Sequence, residues 1–173
     1  KKRIFEKDET LKLSSSTCSE LIKLFQSVNL SSIDEDLNGS MFEVFLAASI
    51  RGKDLGQFFT PRSVVDFMTR IALRNVDIKN PPKVLDACCG TAGFLIEVMA
   101  YLTSRLRNDT RLTDIEREEI KKKICSECLY GIEANERVAK IARINMYLHG
   151  DGGSHIFHSD GLDVDPQVSD DMT

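Results

Sequence analysis

Hydrophobic positions recur at helical spacing in the first part of the chain. Apolar residues at this spacing follow a run of serines at 14–16, which predicts a helix that begins at those serines. A second helix is predicted from about residue 40 to residue 51. A third is predicted from Thr60-Pro61 to about residue 73, with threonine as the N-cap and proline at the first helical position. The predicted buried side of this third helix comprises Val64, Val65, Met68 and Ile71.

The spacing of the hydrophobic residues changes after a double proline at 81–82. Residues 83–89 form a short apolar run typical of a buried strand, and a glycine-containing turn at 90–93 leads into a helical pattern from Phe94 to about Leu102. A strand, a glycine turn and a helix in this order predict the start of an α/β sheet that binds a nucleotide.

The remaining pattern continues the alternation of helices and strands. Thr113 and Glu116 predict the capping box of a charged helix that reaches about residue 125, and residues 128–133 form a second strand candidate. A third, short strand is predicted at 155–158. Between these two strands, Asn135 is expected to cap a helix whose buried side comprises Val138, Ile141, Ala142, Asn145 and Met146.

Composition narrows the class of protein. The 173 residues suffice for one core, and a net charge of −4 argues against a domain that holds nucleic acid by bulk electrostatics. If DNA is the substrate, another domain or subunit is expected to supply most of the contacts. No apolar run approaches the roughly 20 residues that span a bilayer. Five cysteines, an odd number, favour reduced thiols, so we expect a cytoplasmic protein without a membrane segment.

Acidic residues end or follow all three predicted strands. Asp86, Glu133 and Asp160 are expected at the carboxyl edge of one sheet, which is where open α/β sheets bind ligands. The two oxygens of Glu133 can accept hydrogen bonds from both hydroxyls of a ribose, and Asp160 can meet the amino group of an adenine. Taken singly, the turn is also a plain strand–helix connection and Glu133 a plain helix cap. The convergence at one edge favours a ligand site.

Several segments resemble the adenine-specific N-6 DNA methylases, and in particular the modification subunits of type I restriction systems. Residues 56–62 match the G-[QE]-[FY]-[FY]-T-P-R signature of that family. Residues 86–94 resemble its D-P-x-C-G-T-[GA]-G-F turn, with Ala87 in place of the usual proline. Residues 131–135 and 145–150 match its G-x-E-x-N and N-M-x-L-H-G segments. The resemblance extends from about residue 36 to residue 162.

The resemblance implies an S-adenosylmethionine site in an incomplete Rossmann-like methyltransferase fold, which contains the first three strands and follows an N-terminal helical segment. We therefore divide the chain into a helical segment, 1–55, and a cofactor-binding part, 56–173. One of the two phenylalanines at 58–59 is also a candidate for core packing, and Arg62 pairs either with the cofactor carboxylate or with a surface acid. The predicted cofactor-binding residues are Gln57, Phe58, Phe59, Thr60, Pro61, Arg62, Asp86, Gly90, Thr91, Ala92, Gly93, Glu133 and Asp160.

The family's catalytic signature, [ND]-P-P-[FY] after a fourth strand, does not occur in this chain. It holds the exocyclic amine of a flipped adenine, so we predict no catalytic residue here and expect the chain as given not to methylate DNA. Asn80-Pro81-Pro82 lacks the aromatic ring and is interpreted as a loop.

A Cys-x-x-Cys pair at 125–128 has no second pair, so no metal is predicted. The first strand, left at an edge, is a candidate for self-association.

The resemblance implies DNA, a specificity subunit and a restriction subunit as partners. Two other classes stay open: a solitary DNA methyltransferase with a fused recognition region, and a non-catalytic module for cofactor binding or assembly. An assay of methyl transfer by this chain and by a longer protein distinguishes the non-catalytic module from the methyltransferases. A nicotinamide dehydrogenase is disfavoured because the G-x-G-x-x-G spacing is absent.

Overall fold

Helices and short parallel strands alternate through the computed structural model, which describes residues 10, 12–27, 60–151 and 155–163. The helix predicted over 40–51 and the site residues Gln57, Phe58 and Phe59 lie outside these ranges. A π-helical turn, Ile124–Cys128, connects α4 to β2. The elements are α1 (Ser15–Phe25), α2 (Arg62–Ala72), β1 (Val84–Asp86), α3 (Gly93–Asn108), α4 (Asp114–Lys123), β2 (Leu129–Glu133), α5 (Glu136–Leu148) and β3 (Ile156–His158).

The three strands form a parallel sheet in the order β1-β2-β3. Asp86 pairs with Gly131, and Glu133 pairs with His158. Parallel neighbours need a crossover connection, which α3 and α4 supply between β1 and β2 and α5 supplies between β2 and β3. The predicted α/β class is therefore confirmed. In the described ranges β1 lies at an edge of the sheet, and the self-association expected there stays a prediction.

The largest hydrophobic cluster lies between one face of the sheet and the helices α3 and α5. A helix that packs on a sheet buries the side chains that recur along one stripe, and α3 does so with six residues. Fully buried members of the cluster come from both helices and from two strands: Leu95, Leu102, Leu129, Ala142, Met146 and Ile156. The first turn of α3, and with it the glycine turn, is therefore held against the sheet.

Short-range signals place the helix starts where the sequence predicts them. Ser14 Oγ accepts a hydrogen bond from Thr17 N at 3.2 Å, and Asn135 Oδ1 accepts one from Val138 N at 3.2 Å. The capping box of α4 is formed in both directions between Thr113 and Glu116. These bonds satisfy backbone N–H groups that the first helical turn leaves unpaired, which is why such residues begin helices.

The predictions for α2 are partly wrong. The helix begins at Arg62 with Pro61 as its N-cap, because the Pro61 carbonyl, and not the Thr60 side chain, receives the first hydrogen bonds. Of the four residues predicted to be buried only Val65 is; Val64, Met68 and Ile71 are 42–60% exposed. The neighbour α3 contacts α2 along another stripe, and a helix buries whichever side its neighbour covers.

Smaller differences concern the extent of elements. β1 ends at Asp86 and not near residue 89, whereas α3 continues to Asn108, beyond the predicted end at Leu102. In α5 Ile141 is only half-buried, and Ala139 takes a buried position instead. The segment 80–82 lies in a turn and loop before β1, as interpreted from the sequence. Within the described ranges no helix is both long and apolar enough to cross a bilayer.

Candidate functional site

The loops after β1 and β3 meet beyond the end of β2, at the carboxyl edge of the sheet. Cys89 N donates to Ile132 O at 2.9 Å, and Ser159 N donates to Glu133 O at 3.2 Å. Gly161 lies so close to the Ala87 carbonyl oxygen that any Cβ at this position would collide with backbone. This contact, which the sequence did not indicate, keeps Asp160 beside the turn that follows β1.

The glycine turn at 90–93 has an unusual backbone. Gly90 has φ of +54° and Ala92 has φ of +70°, a left-handed conformation that residues with a Cβ rarely adopt. Ala92 is the N-cap residue of α3 and has no side chain that could cap the helix. An added Cβ on Gly93 would have no described atom within 4 Å. Thr91 and Ala92 are buried, so the turn leaves space for a ligand beside Gly93, at the start of α3.

The Glu133 carboxylate joins the end of β2 to this turn. Its Oε2 accepts a hydrogen bond from Gly90 N at 3.0 Å, and its Oε1 accepts one from Asn135 N at 2.8 Å. Each carboxylate oxygen can accept two hydrogen bonds, so one acceptor position on each oxygen stays available to a ligand. The backbone thus orients the carboxylate before any ligand binds, and the contact with Asn135 N at the start of α5 leaves acceptor positions for a ligand.

The edge is electrostatically negative. Burial raises the pKa of Asp86, and the nearby Glu133 raises it further, although a hydrogen bond from Cys88 N opposes the shift. Burial, Asp86 and Glu133 together raise the pKa of the Cys89 thiol to about 12, so this cysteine is neutral. Two carboxylates disfavour an anionic group such as a pyrophosphate and favour hydroxyl donors and cations.

We expect Asp86→Asn to stabilise the fold at neutral pH. Because the pKa of Asp86 is raised on folding, its favourable contribution is present below the unfolded value of about 3.9 and is lost as the pH rises through the folded pKa. Asparagine keeps an oxygen that can accept from Cys88 N and carries no charge. Urea unfolding should show a gain of about 0.5–1 kcal/mol at pH 7 and little difference near pH 3. A variant less stable than the parent at pH 7 would contradict this account.

Three predicted site residues lie around the start of α2, and two arginine contacts connect this helix and the turn after it to α3. Arg105 Nη1 donates to Leu73 O at 3.1 Å, and the Arg70 guanidinium lies 5.8 Å from the centre of the Tyr101 ring. Of the predicted residues around this start, Thr60, Pro61 and Arg62 are all exposed.

Two cavities lie along α3 beyond its first residues, and neither contains the strand ends. One, of about 800 Å³, is lined by Arg70, Tyr101 and Arg105; the other, of about 310 Å³, is lined by Met99, Cys125 and His149. Neither combines carboxylates with an exposed glycine backbone. We therefore assign the candidate site to the open edge, where Asp86, the turn 90–93, Glu133 and Asp160 converge. In this edge Asp160 is exposed, and its Oδ1 accepts from Leu162 N at 2.9 Å.

Comparison with known proteins identifies a family and several relatives of similar sequence. Residues 33–173 match the family described as N-6 DNA Methylase. The type II restriction enzyme and methyltransferase RM.BcgI of Heyndrickxia coagulans is 32% identical over 139 residues, which are 80% of this chain and 20% of that protein. The type I restriction enzyme MjaVII methylase subunit of Methanocaldococcus jannaschii is 29% identical over 133 residues, which are 76% of this chain and 19% of that protein.

A third relative is similar to the chain over a segment of about the same length. The type I restriction enzyme EcoEI methylase subunit of Escherichia coli is 27% identical over 132 residues, which are 76% of this chain and 24% of that protein. The chain thus spans about a fifth to a quarter of the length of these curated relatives.

Proposed function

The chain belongs to the N-6 DNA methylase family, and we propose that it forms the S-adenosylmethionine-binding part of an adenine-specific DNA methyltransferase. The observation that carries the proposal is the Glu133 carboxylate, oriented by Gly90 N and Asn135 N beside a glycine turn with open space at Gly93. A ribose with two free hydroxyls fits the acceptor positions that remain on this carboxylate.

The charge of the edge supports a cationic ligand. S-adenosylmethionine supplies an activated methyl group on a sulfonium, whose positive charge two nearby carboxylates would favour. In this proposal Glu133 binds the ribose hydroxyls, the turn 90–93 packs closely against the ligand, and Asp160 accepts from the adenine amino group. In the same proposal, Thr60, Pro61 and Arg62 bind near the methionine end of the cofactor. Gln57, Phe58 and Phe59, which precede them in the sequence, belong to the same predicted set. The parallel sheet is the first half of a Rossmann-like methyltransferase fold.

The proposed reaction transfers a methyl group from sulfur to the exocyclic amine nitrogen of adenine in DNA. The sulfur–carbon bond breaks as the nitrogen–carbon bond forms, and the amine loses a proton. Direct displacement needs both centres held in line, which requires groups on the DNA side of the site as well as the cofactor side. The residues named above supply the cofactor side.

For the biological setting, we propose a cytoplasmic modification subunit of a type I restriction system that acts with a specificity subunit and a restriction subunit on DNA. The support is that two of the relatives named above are methylase subunits of type I restriction enzymes. The net charge of −4 supports DNA contacts made largely by other parts. The alternative is a single polypeptide with a fused recognition region, which the similarity to RM.BcgI favours.

Two measurements test the function. Calorimetry with the full-length protein should detect S-adenosylmethionine binding, and mass spectrometry of unmethylated DNA after incubation should detect N6-methyladenine. Methylation that depends on an added specificity subunit supports the type I setting, and methylation without one supports the fused alternative. Absence of cofactor binding would overturn the proposal.

We expect Gly93→Val to damage cofactor binding more than stability. No described atom lies within 4 Å of an added Cβ, so the variant should fold with a free energy of unfolding within about 0.5 kcal/mol of the parent. The branched side chain occupies the space that the turn leaves open, and we expect about tenfold weaker binding, the equivalent of about 1.4 kcal/mol. Gly93→Ala, with a single methyl, should show a smaller loss. A folded Gly93→Val variant with unchanged affinity would mean that the turn is purely structural.

A further inference from the structure

Asn145 connects α5 to the glycine turn through a buried amide. It is 1% exposed, and its Nδ2 donates to Thr91 O at 2.8 Å, across 54 positions of sequence. Its Oδ1 is buried, and no described residue donates to it. A buried carbonyl without a donor destabilises a folded chain, a cost that an apolar residue at this position would avoid. Among the described residues, the hydrogen-bond partner of this side chain is therefore the Thr91 carbonyl oxygen of the glycine turn.

The hydrogen bond from Asn145 acts on the strained part of the turn. The Thr91 carbonyl and the Ala92 nitrogen belong to the same peptide plane. A hydrogen bond that holds this oxygen fixes the orientation of that plane, and with it the φ of +70° at Ala92. A left-handed alanine is unfavourable in isolation and persists only when its surroundings impose it. Ala92 N in turn donates to Cys89 O at 2.8 Å, and Ala92 O accepts from Ile96 N at 3.0 Å.

Residues 145–150, at the end of α5, hold the Asn145 backbone in place. His149 Nδ1 lies 2.8 Å from the backbone oxygen of Asn145, and His149 N donates to the same oxygen at 3.2 Å. Gly150 has φ of +90°, which lets the chain leave the helix, and Asp151 N donates to Met146 O at 3.1 Å. The end of α5 is therefore closed by its own residues, and the Asn145 side chain is left to serve the turn.

We propose that Asn145 is a positioning residue for the cofactor site. It holds the Thr91–Ala92 peptide so that Gly90 N stays directed at Glu133 and the space beside Gly93 stays open. The identity of the ligand rests on the proposed function; the effect of Asn145 on the turn does not.

The first test is Asn145→Leu in the full-length protein, with Met146→Leu as the matched control. Met146 is the neighbouring residue of α5, is fully buried and has no hydrogen bond to the turn. We expect the dissociation constant for S-adenosylmethionine to rise about tenfold in Asn145→Leu, as for the loss of one buried hydrogen bond, and to stay unchanged in Met146→Leu. The free energy of unfolding should fall in Asn145→Leu, because Thr91 O loses its donor and leucine is larger than asparagine, so affinities are compared under conditions in which both variants are folded. Asn145→Ala replaces it if leucine prevents folding.

The second test needs no cofactor. Amide hydrogen exchange of the free protein should become faster at Ala92 and Ile96 in Asn145→Leu, while the amides of β2 keep their protection. If the parent protein does not bind S-adenosylmethionine, the proposed function falls, and this measurement still decides the role of Asn145. Unchanged exchange at both amides would overturn the positioning role.

The third test is rescue by Ala92→Gly. Glycine adopts a left-handed conformation without strain, so the turn of the double variant no longer depends on the hydrogen bond from Asn145. We expect Ala92→Gly to raise the affinity about threefold in the Asn145→Leu background, and to change the affinity of the parent in the same direction by a smaller factor, because the hydrogen bond from Asn145 already holds the parent turn. No recovery, or an equal gain in both backgrounds, would show that Asn145 does not act through this peptide.

Discussion

Replacing Glu133 with alanine is expected to weaken S-adenosylmethionine binding by about ten- to a hundredfold. The variant loses the carboxylate that accepts from the ribose hydroxyls, and the net loss of one charge-assisted hydrogen bond, about 1.5–3 kcal/mol, corresponds to this range. It also releases Gly90 N and Asn135 N, which the carboxylate now holds at 3.0 and 2.8 Å. The glycine turn therefore loses one of its hydrogen bonds to β2 as well as its ligand contact. Calorimetry on the full-length protein measures the change directly.

Two further variants separate charge from geometry. Glu133→Gln keeps the length of the side chain but has one acceptor oxygen, so it should fall between the parent and Glu133→Ala. Glu136→Ala removes the same charge from an exposed position in the first turn of α5 and should leave the affinity unchanged. If Glu136→Ala weakened binding as much as Glu133→Ala, the general negative potential, and not Glu133, would determine the affinity. Unchanged binding in Glu133→Ala would remove this residue from the site.

Gly131→Val is expected to reduce the free energy of unfolding by about 3 kcal/mol, at the upper end of what overpacking commonly costs. A Cβ at Gly131 would lie 2.7 Å from Ile156 Cδ1, 2.9 Å from Cys89 Sγ and 3.0 Å from Leu95 Cδ1. Side-chain ends can shift around one methyl group, so Gly131→Ala should cost less, about 1 kcal/mol. The two additional methyl groups of valine have to displace the residues that join β1, β3 and α3 to β2.

Urea unfolding with Gly93→Val as the matched control tests this prediction. The same substitution is made in both variants, once among close neighbours and once where no described atom lies within 4 Å. Equal stabilities of the two variants would contradict the packing described for β2. Because Cys89 belongs to the loop before the turn, we also expect Gly131→Val to reduce cofactor affinity, whereas Glu133→Ala should reduce affinity with a smaller effect on stability.

The sequence by itself determined the features that depend on neighbours a few residues away. The helix starts at Ser14, Thr113 and Asn135 follow from side chains that can bond N–H groups two or three positions on, and all three are present. The order of strands and helices and the parallel α/β class follow from the change in hydrophobic period. That Asp86 and Glu133 share one edge then needs only the rule that parallel strands end together.

Only the tertiary structure decided which surfaces meet. The apolar residues of α2 are compatible with several burial patterns. Contact with α3 buries the side with Val65 and leaves Met68 and Ile71 exposed. The Gly90–Glu133 bond spans 43 positions, and the Asn145–Thr91 bond spans 54. A period or a cap signal carries no information about a partner so distant, because that contact depends on how the sheet and helices pack. A polar residue on the buried stripe of α5 was the local sign of Asn145, and the packed fold alone identified Thr91 as its partner.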